Sequence, residues 1–175
     1  MAIREIVTHP ANILRHKAHK VIHFDPSLHR LVLDMVDTMR AEPGVGLAAP
    51  QVGESLRLIV VEYGDDEDKE KPPHLYTMAN PEIIRSSEEI ELGVEGCLSV
   101  PGYAGEVNRS LSVTVKGQNL KGKAIRIKAK GWLARIFQHE IDHLNGMLFI
   151  DRAEKVWKLE EEAEQPTPAD KIGLV

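Results

Sequence analysis

The sequence predicts an α+β fold: short, mixed or antiparallel strands and hairpins around a central helix, with an amphipathic helix near the N-terminus. Three observations carry this. Two segments repeat their apolar residues at helical spacing. Several others are short, apolar or alternating, and bounded by Gly, Pro or Asn turns. No internal repeat or second domain interrupts the 175 residues.

Residues 25–40 read as the first helix. Asp25 can cap it, Pro26 suits the first helical position, and Leu28, Leu31, Val32, Met35, Val36 and Met39 form one apolar stripe. Glu42-Pro43-Gly44 ends it. Residues 44–53 are glycine-rich and read as a flexible loop. Residues 56–63 read as a strand centred on Leu58-Ile59-Val60-Val61. The charge run and two prolines in residues 64–74 predict a solvated loop, not an acidic binding tract. Residues 80–84 and 90–94 read as short strands. Leu111, Val113 and Val115 alternate with polar residues, a turn follows at 119–122, and Ile125 and Ile127 alternate again, which predicts a hairpin. Residues 131–145 read as the second helix, with Leu133, Ile136, Phe137, Ile141 and Leu144 on its apolar face and Gly146 just past its end. Residues 1–152 are expected to form a single catalytic domain. Residues 153–175 are expected to be an acidic tail, a short helix near 160–162 and then loose chain.

The net charge of −5 gives no electrostatic reason to expect nucleic acid or an anionic membrane as partner. Residues 1–9 carry Arg4, Glu5 and His9 and do not resemble a signal peptide, and no apolar run approaches the ~20 residues of a membrane span. With Cys97 as the single cysteine, no intramolecular disulfide can form, which fits a reducing cytoplasm.

His139-Glu140-Ile141-Asp142-His143 is an H-E-x-x-H motif. On a helix it stacks two imidazoles on one face, where they can share a metal ion, and Glu140 can act as general base on a bound water. Asp142 is expected to be exposed or to support the site from behind. A catalytic site of this kind needs a third ligand, and Cys97 is the best candidate because a thiolate is a strong soft ligand. Gly96 beside it would let the backbone approach the metal. Gln51, after the small residues Ala48 and Ala49, is a neutral amide that could stabilise an oxyanion. Gly44-Val45-Gly46 fits neither a dinucleotide fingerprint nor a Walker loop. The other six histidines show no ligand spacing and read as surface residues.

Three blocks together resemble the peptide deformylase family: Gly44-Val45-Gly46-Leu47-Ala48-Ala49-Pro50-Gln51, Glu95-Gly96-Cys97-Leu98-Ser99 and Gln138-His139-Glu140-Ile141-Asp142-His143. They match G-x-G-x-A-A-x-Q, E-G-C-L-S and Q-H-E-x-D-H in that order, and the likeness spans residues 3–152. The resemblance implies that Cys97, His139 and His143 bind one divalent ion, Fe2+ first, with Zn2+, Ni2+ or Co2+ as substitutes, and water as fourth ligand. It implies that Glu140 is the acid/base for attack of that water on a formyl carbon, and that Gln51 and the Leu98 N–H hold the oxyanion. Gly46 would bind substrate through its backbone, and Val45, Trp132 and Ile136 would border a methionine pocket. The implied substrate is a nascent peptide beginning with formylmethionine, and formate is released.

Two features depart from many bacterial members. Residues 152–175 hold 4 basic and 6 acidic side chains, which weighs against ribosome docking through a basic C-terminal helix. Pro101-Gly102-Tyr103-Ala104 lacks an arginine that some relatives place near the peptide cleft. A monomer is expected over a dimer. The competing readings are an H-E-x-x-H zinc peptidase, with its third ligand downstream, and a deformylase-like binding protein without turnover.

Overall fold

Asp25 caps helix α1 (Pro26–Ala41), accepting from the backbone N–H groups of Ser27 at 3.0 Å and Leu28 at 3.1 Å. All six residues of the expected stripe are buried. At roughly 1.5–3 kcal/mol per fully buried apolar side chain, packing rather than propensity holds this helix. The computed structural model describes residues 2–160 and the backbone of Gly173–Leu174.

The remaining elements are, in chain order, β1 (Gly46–Ala48), β2 (Leu58–Tyr63), β3 (His74–Ser86), β4 (Ile90–Gly96), β5 (Tyr103–Ser110), β6 (Ser112–Gln118), β7 (Ala124–Lys130), α2 (Gly131–Leu144), α3 (Phe149–Arg152), β8 (Lys155–Lys158) and β9 (Gly173–Leu174). One sheet has the order β1-β2-β3-β6-β7 and is antiparallel throughout. The other has the order β8-β5-β4-β9, with β9 parallel to β4. Among the described residues, no helix is long and apolar enough to cross a membrane.

Strand β2 explains its own unbroken apolar run. Leu58 and Val60 face α1, in a cluster with Met35, Met39 and Leu47. Ile59 and Val61 face α2, in a cluster with Ile136, Phe137, Ile141 and Leu144. A strand covered on both faces has no polar side to show. Helix α2 therefore lies in the interior, and it ends where expected. Gly146 takes φ +74°, and any Cβ there would run into the Arg15 carbonyl. Arg57 Nη1 donates to the Leu144 carbonyl at 2.9 Å, placing a cation at the helix C-terminus.

Several expectations need correction. Residues 44–53 are not a flexible loop: Gly46–Val52 form β1 and a buried 3-10 turn. The strand expected at 80–84 is the far half of β3, which has 13 residues. It continues past Pro81 because the register shifts between Ala79 and Glu82, with Asn80 at φ +51°. The Asn80 amide fills the irregularity by bonding both the N–H and the carbonyl of Val21, at 2.8 and 2.9 Å. Strand β5 was not expected, because Gly105 and Arg109 occupy its inward positions and hide the alternation. Residues 155–158 extend the second sheet as β8 against β5. The helix expected near 160–162 and the chain beyond fall almost wholly outside the described residues.

Candidate metal centre

Helix α2 presents His139, Glu140 and His143 inward, and all three are buried. The two imidazoles stand one turn apart with Nε2 atoms 3.2 Å from each other. Cys97 follows the end of β4, and its Sγ lies 3.3 Å from His143 Nε2. One donor atom from each of Cys97, His139 and His143 falls within 4.8 Å of the other two. Nitrogens at about 2.0–2.1 Å and a sulfur at about 2.3 Å from a tetrahedral ion stand roughly 3.3–3.6 Å apart. The two spacings at His143 Nε2, 3.2 and 3.3 Å, lie close to this range.

The protonation chemistry agrees. Burial pushes the Cys97 thiol up to about 12, although the nearby backbone N–H groups of Ser99 and Val100 favour the thiolate. A buried thiolate there requires a cation. Burial also holds His143 well below its ordinary value, helped by His139 and Arg109, so it is a neutral, ligand-ready imidazole.

His139 is oriented from behind. Its Nδ1 lies 3.0 Å from Glu95 Oε2, which leaves Nε2 to face the site. Burial pushes the Glu95 carboxyl up, but hydrogen bonds from His139 and Arg109 overcome this and hold it well below the usual carboxylate range. Arg109 donates Nε and Nη2 to the two Glu95 oxygens at 2.9 and 3.0 Å and Nη1 to Asp142 at 2.6 Å. Asp142 also takes two bonds from Arg152, so it supports the site and is not exposed.

Glu140 has both carboxylate oxygens buried and without a hydrogen-bond partner among the described residues. Burial, reinforced by Glu95 and opposed by Arg109, pushes its carboxyl well above the usual range. A carboxyl whose affinity for a proton is raised in this way suits an acid/base role. Gly46 of β1 passes directly over it: a Cβ there would lie 2.5 Å from Glu140 Oε1. Gln51 is fully buried. The Ala48 N–H fixes its Oε1 at 2.9 Å, turning its amide nitrogen toward Cys97 Sγ (3.7 Å) and Ser99 Oγ (3.2 Å). Leu98, next to Cys97, is half-buried.

Gly46, Gln51, Cys97, His139, Glu140 and His143 thus converge from β1, the turn after it, the turn after β4 and α2. Val45, Trp132 and Ile136 all belong to the apolar cluster that contains α2. Trp132 lies seven residues before His139 and so about 10 Å along the helix. The other six histidines are exposed. Sequence reasoning assigned no role to Glu95, Arg109 or Arg135. Glu95 carried a signal, since it stands two residues before Cys97, the candidate ligand, at the end of β4.

The family model described as Polypeptide deformylase matches residues 3–158. The chain is 50% identical over 161 residues to the peptide deformylase of Desulforudis audaxviator, covering 92% of this chain and all of that one. It is 44% identical over 164 residues to peptide deformylase 1 of Bacillus subtilis, covering 94% and 98%. Among solved structures, the Thermotoga maritima peptide deformylase superposes with a TM-score of 0.82 at 39% identity, over 89% of this chain and all of that one. A Synechococcus elongatus peptide deformylase in complex with actinonin gives 0.78 at 40% identity, over 87% and 79%. Fold, donor set and these similarities agree, and the chain belongs to the polypeptide deformylase family.

Proposed function

We propose that this chain removes the formyl group from nascent peptides that begin with formylmethionine, and that Cys97, His139 and His143 hold the one divalent ion the reaction needs. One observation carries the reading: three ligand atoms converge beside a buried Glu140 carboxyl, without a hydrogen-bond partner among the described residues, and a Gln51 amide turned the same way.

A formamide is an unreactive amide. A bound divalent ion would lower the pKa of water toward neutrality and polarise the formyl oxygen. Glu140 accepts the proton of the attacking water and delivers it to the departing amine, which leaves poorly otherwise. The Gln51 side-chain amide and the Leu98 N–H donate to the formyl oxygen as it gains charge. The Gly46 backbone takes the substrate main chain, and Val45, Trp132 and Ile136 border the methionine side chain. Fe2+ is the expected ion; Zn2+, Ni2+ and Co2+ suit imidazole and thiolate donors as well. The protein is expected to act in the cytoplasm as a monomer, as one domain that runs past residue 152 into β8 (Lys155–Lys158), with an acidic tail after it. That tail weighs against a ribosome contact made through it.

The peptidase alternative finds no support downstream of the motif among the described residues, where Glu154 is exposed and bonded to Asn108. The test is formate release from formyl-Met-Ala-Ser by anaerobically purified protein, with metal analysis of the same sample. Formate release with about one ion per chain is the expected result. Bound metal without formate release would refute the reading.

A further inference from the structure

Arg135 precedes His139 by one helical turn and, unlike the histidines, supplies no donor atom to the metal site. Its guanidinium is almost fully buried and makes three hydrogen bonds: Nη1 to Glu95 Oε1 at 3.0 Å and to the Val107 carbonyl at 2.7 Å, and Nη2 to the Glu91 carbonyl at 2.6 Å. The guanidinium carbon also lies 5.3 Å from the centre of the Trp132 ring. One side chain of α2 is thereby tied to both β4 and β5.

Gly93 makes the seat. A Cβ on Gly93 would fall 2.6 Å from Arg135 Cζ, 2.7 Å from Nη2 and 2.9 Å from Nε, so the guanidinium rests against bare backbone. That seat lies on the same strand as Glu95, four residues before Cys97. Arg135 also acts on the carboxylate that orients His139. Glu95 Oε1 accepts from Arg135 and Arg109, while Oε2 faces His139 Nδ1 and accepts from Arg109. Two donors on Oε1 fix the rotation of the carboxylate and hence the direction of Oε2.

We infer that Arg135, seated against Gly93, is a positioning residue that sets β4, with Cys97, at the right height against α2, with His139 and His143. This rests on the metal site proposed above, since those three residues are its ligands. The burial of an arginine is then explained by the spacing it holds: the ligand set is split between a strand and a helix, and Arg135 clamps the two.

The test is a Co2+ titration of metal-free protein, read by the thiolate-to-cobalt absorption and the intensity of the tetrahedral visible bands. The proteins are wild type, Arg135→Met, Arg135→Lys, Gly93→Ala and the double variant Gly93→Ala/Arg135→Met. Arg135→Met and Gly93→Ala should each weaken Co2+ binding roughly 10–100-fold, the range for residues that orient a ligand, and should change the visible bands. Arg135→Lys, which keeps a charge but not the fork, should fall between wild type and Arg135→Met. The double variant should be no weaker than the worse single one, because both changes remove the same contact. Wild-type affinity and spectrum in Arg135→Met, or losses that multiply in the double variant, would overturn the inference. So would a lower melting temperature of the metal-free protein with an unchanged cobalt spectrum, which marks a purely structural role. Should Arg135→Met fail to fold, Arg135→Lys and Gly93→Ala decide alone. Absence of Co2+ binding to the wild type would count against the metal site itself, not against the clamp alone.

Discussion

Gly46→Ala is the sharpest test of the catalytic geometry, because it adds a single methyl group. Its new Cβ would lie 2.5 Å from Glu140 Oε1 and 3.0 Å from both Cγ and Cδ, where ordinary contact begins at 3.4 Å. Something must yield by about 0.9 Å, the difference between 3.4 and 2.5 Å. Strand β1 cannot retreat easily, since it is paired with β2 at Gly46↔Val61, Leu47↔Val60 and Ala48↔Ile59 and is buried throughout. Glu140 has no hydrogen bond among the described residues to hold it, so it is the group that moves. A reacting group misplaced by about 1 Å costs on the order of 10²-fold, or about 2.7 kcal/mol in the barrier. The assay is kcat/KM for formate release from formyl-Met-Ala-Ser, with metal content in parallel. The variant should keep its metal and lose about two orders of magnitude in rate. Introduced into Glu140→Ala, the same methyl should cost far less, because its target is gone. A variant with more than about half the wild-type rate would refute the assignment of Glu140 and the reading of the close approach.

Cys97→Ser should lose most of its bound metal in elemental analysis, since a hydroxyl is a much harder and weaker donor; undiminished metal would sink the ligand assignment and the deformylase chemistry with it. Glu140→Ala should retain the ion and lose roughly 10²–10⁴-fold in formate release, and substantial residual turnover would count against its acid/base role. The same residue predicts a pH effect in the metal-free protein. Its folded-state carboxyl is raised above the ordinary 4.5, so its contribution is complete below that value and declines as pH rises toward the folded value. Glu140→Gln should therefore gain in Tm over wild type as pH rises above the ordinary 4.5, and a gap that shrinks with rising pH would contradict this. Met35→Ala, at a fully buried position of α1, should cost about 2–5 kcal/mol in denaturant unfolding while leaving the metal content unchanged.

What was legible in the sequence follows from what each residue type reveals. The stripe of α1, the two-faced apolar run of β2 and the hairpin of β6 and β7 are patterns of burial, and burial is written in hydrophobicity. The i, i+4 histidines and the lone cysteine are chemistry that few other roles require. The missed parts are those where a charge faces inward. Arg109 broke the alternation of β5, and Arg135 looks like any solvated helix arginine until Glu95 and two carbonyls are seen around it. The buried segment of residues 46–52 was misread for a related reason. Its small residues suggest mobility, whereas here they let β1 lie against Glu140 and set Gln51 beside Cys97.

The two-sided strand β2 has a consequence for how the chain finds its register. A strand that is apolar on one face and polar on the other resists sliding, because a slip by one residue turns every side chain the wrong way. Leu58-Ile59-Val60-Val61 would look much the same after such a slip, so hydrophobicity alone does not say where β2 should stop. Polar contacts at its first residues supply the missing address. The Asn80 N–H bonds the Arg57 carbonyl at 2.7 Å, and the Arg57 N–H bonds the His19 carbonyl at 2.8 Å. The Asn80 side chain grips Val21 from the same place. One irregular asparagine therefore aligns β2, a strand that carries no alignment code of its own, and through β1 it settles where Gly46 meets Glu140.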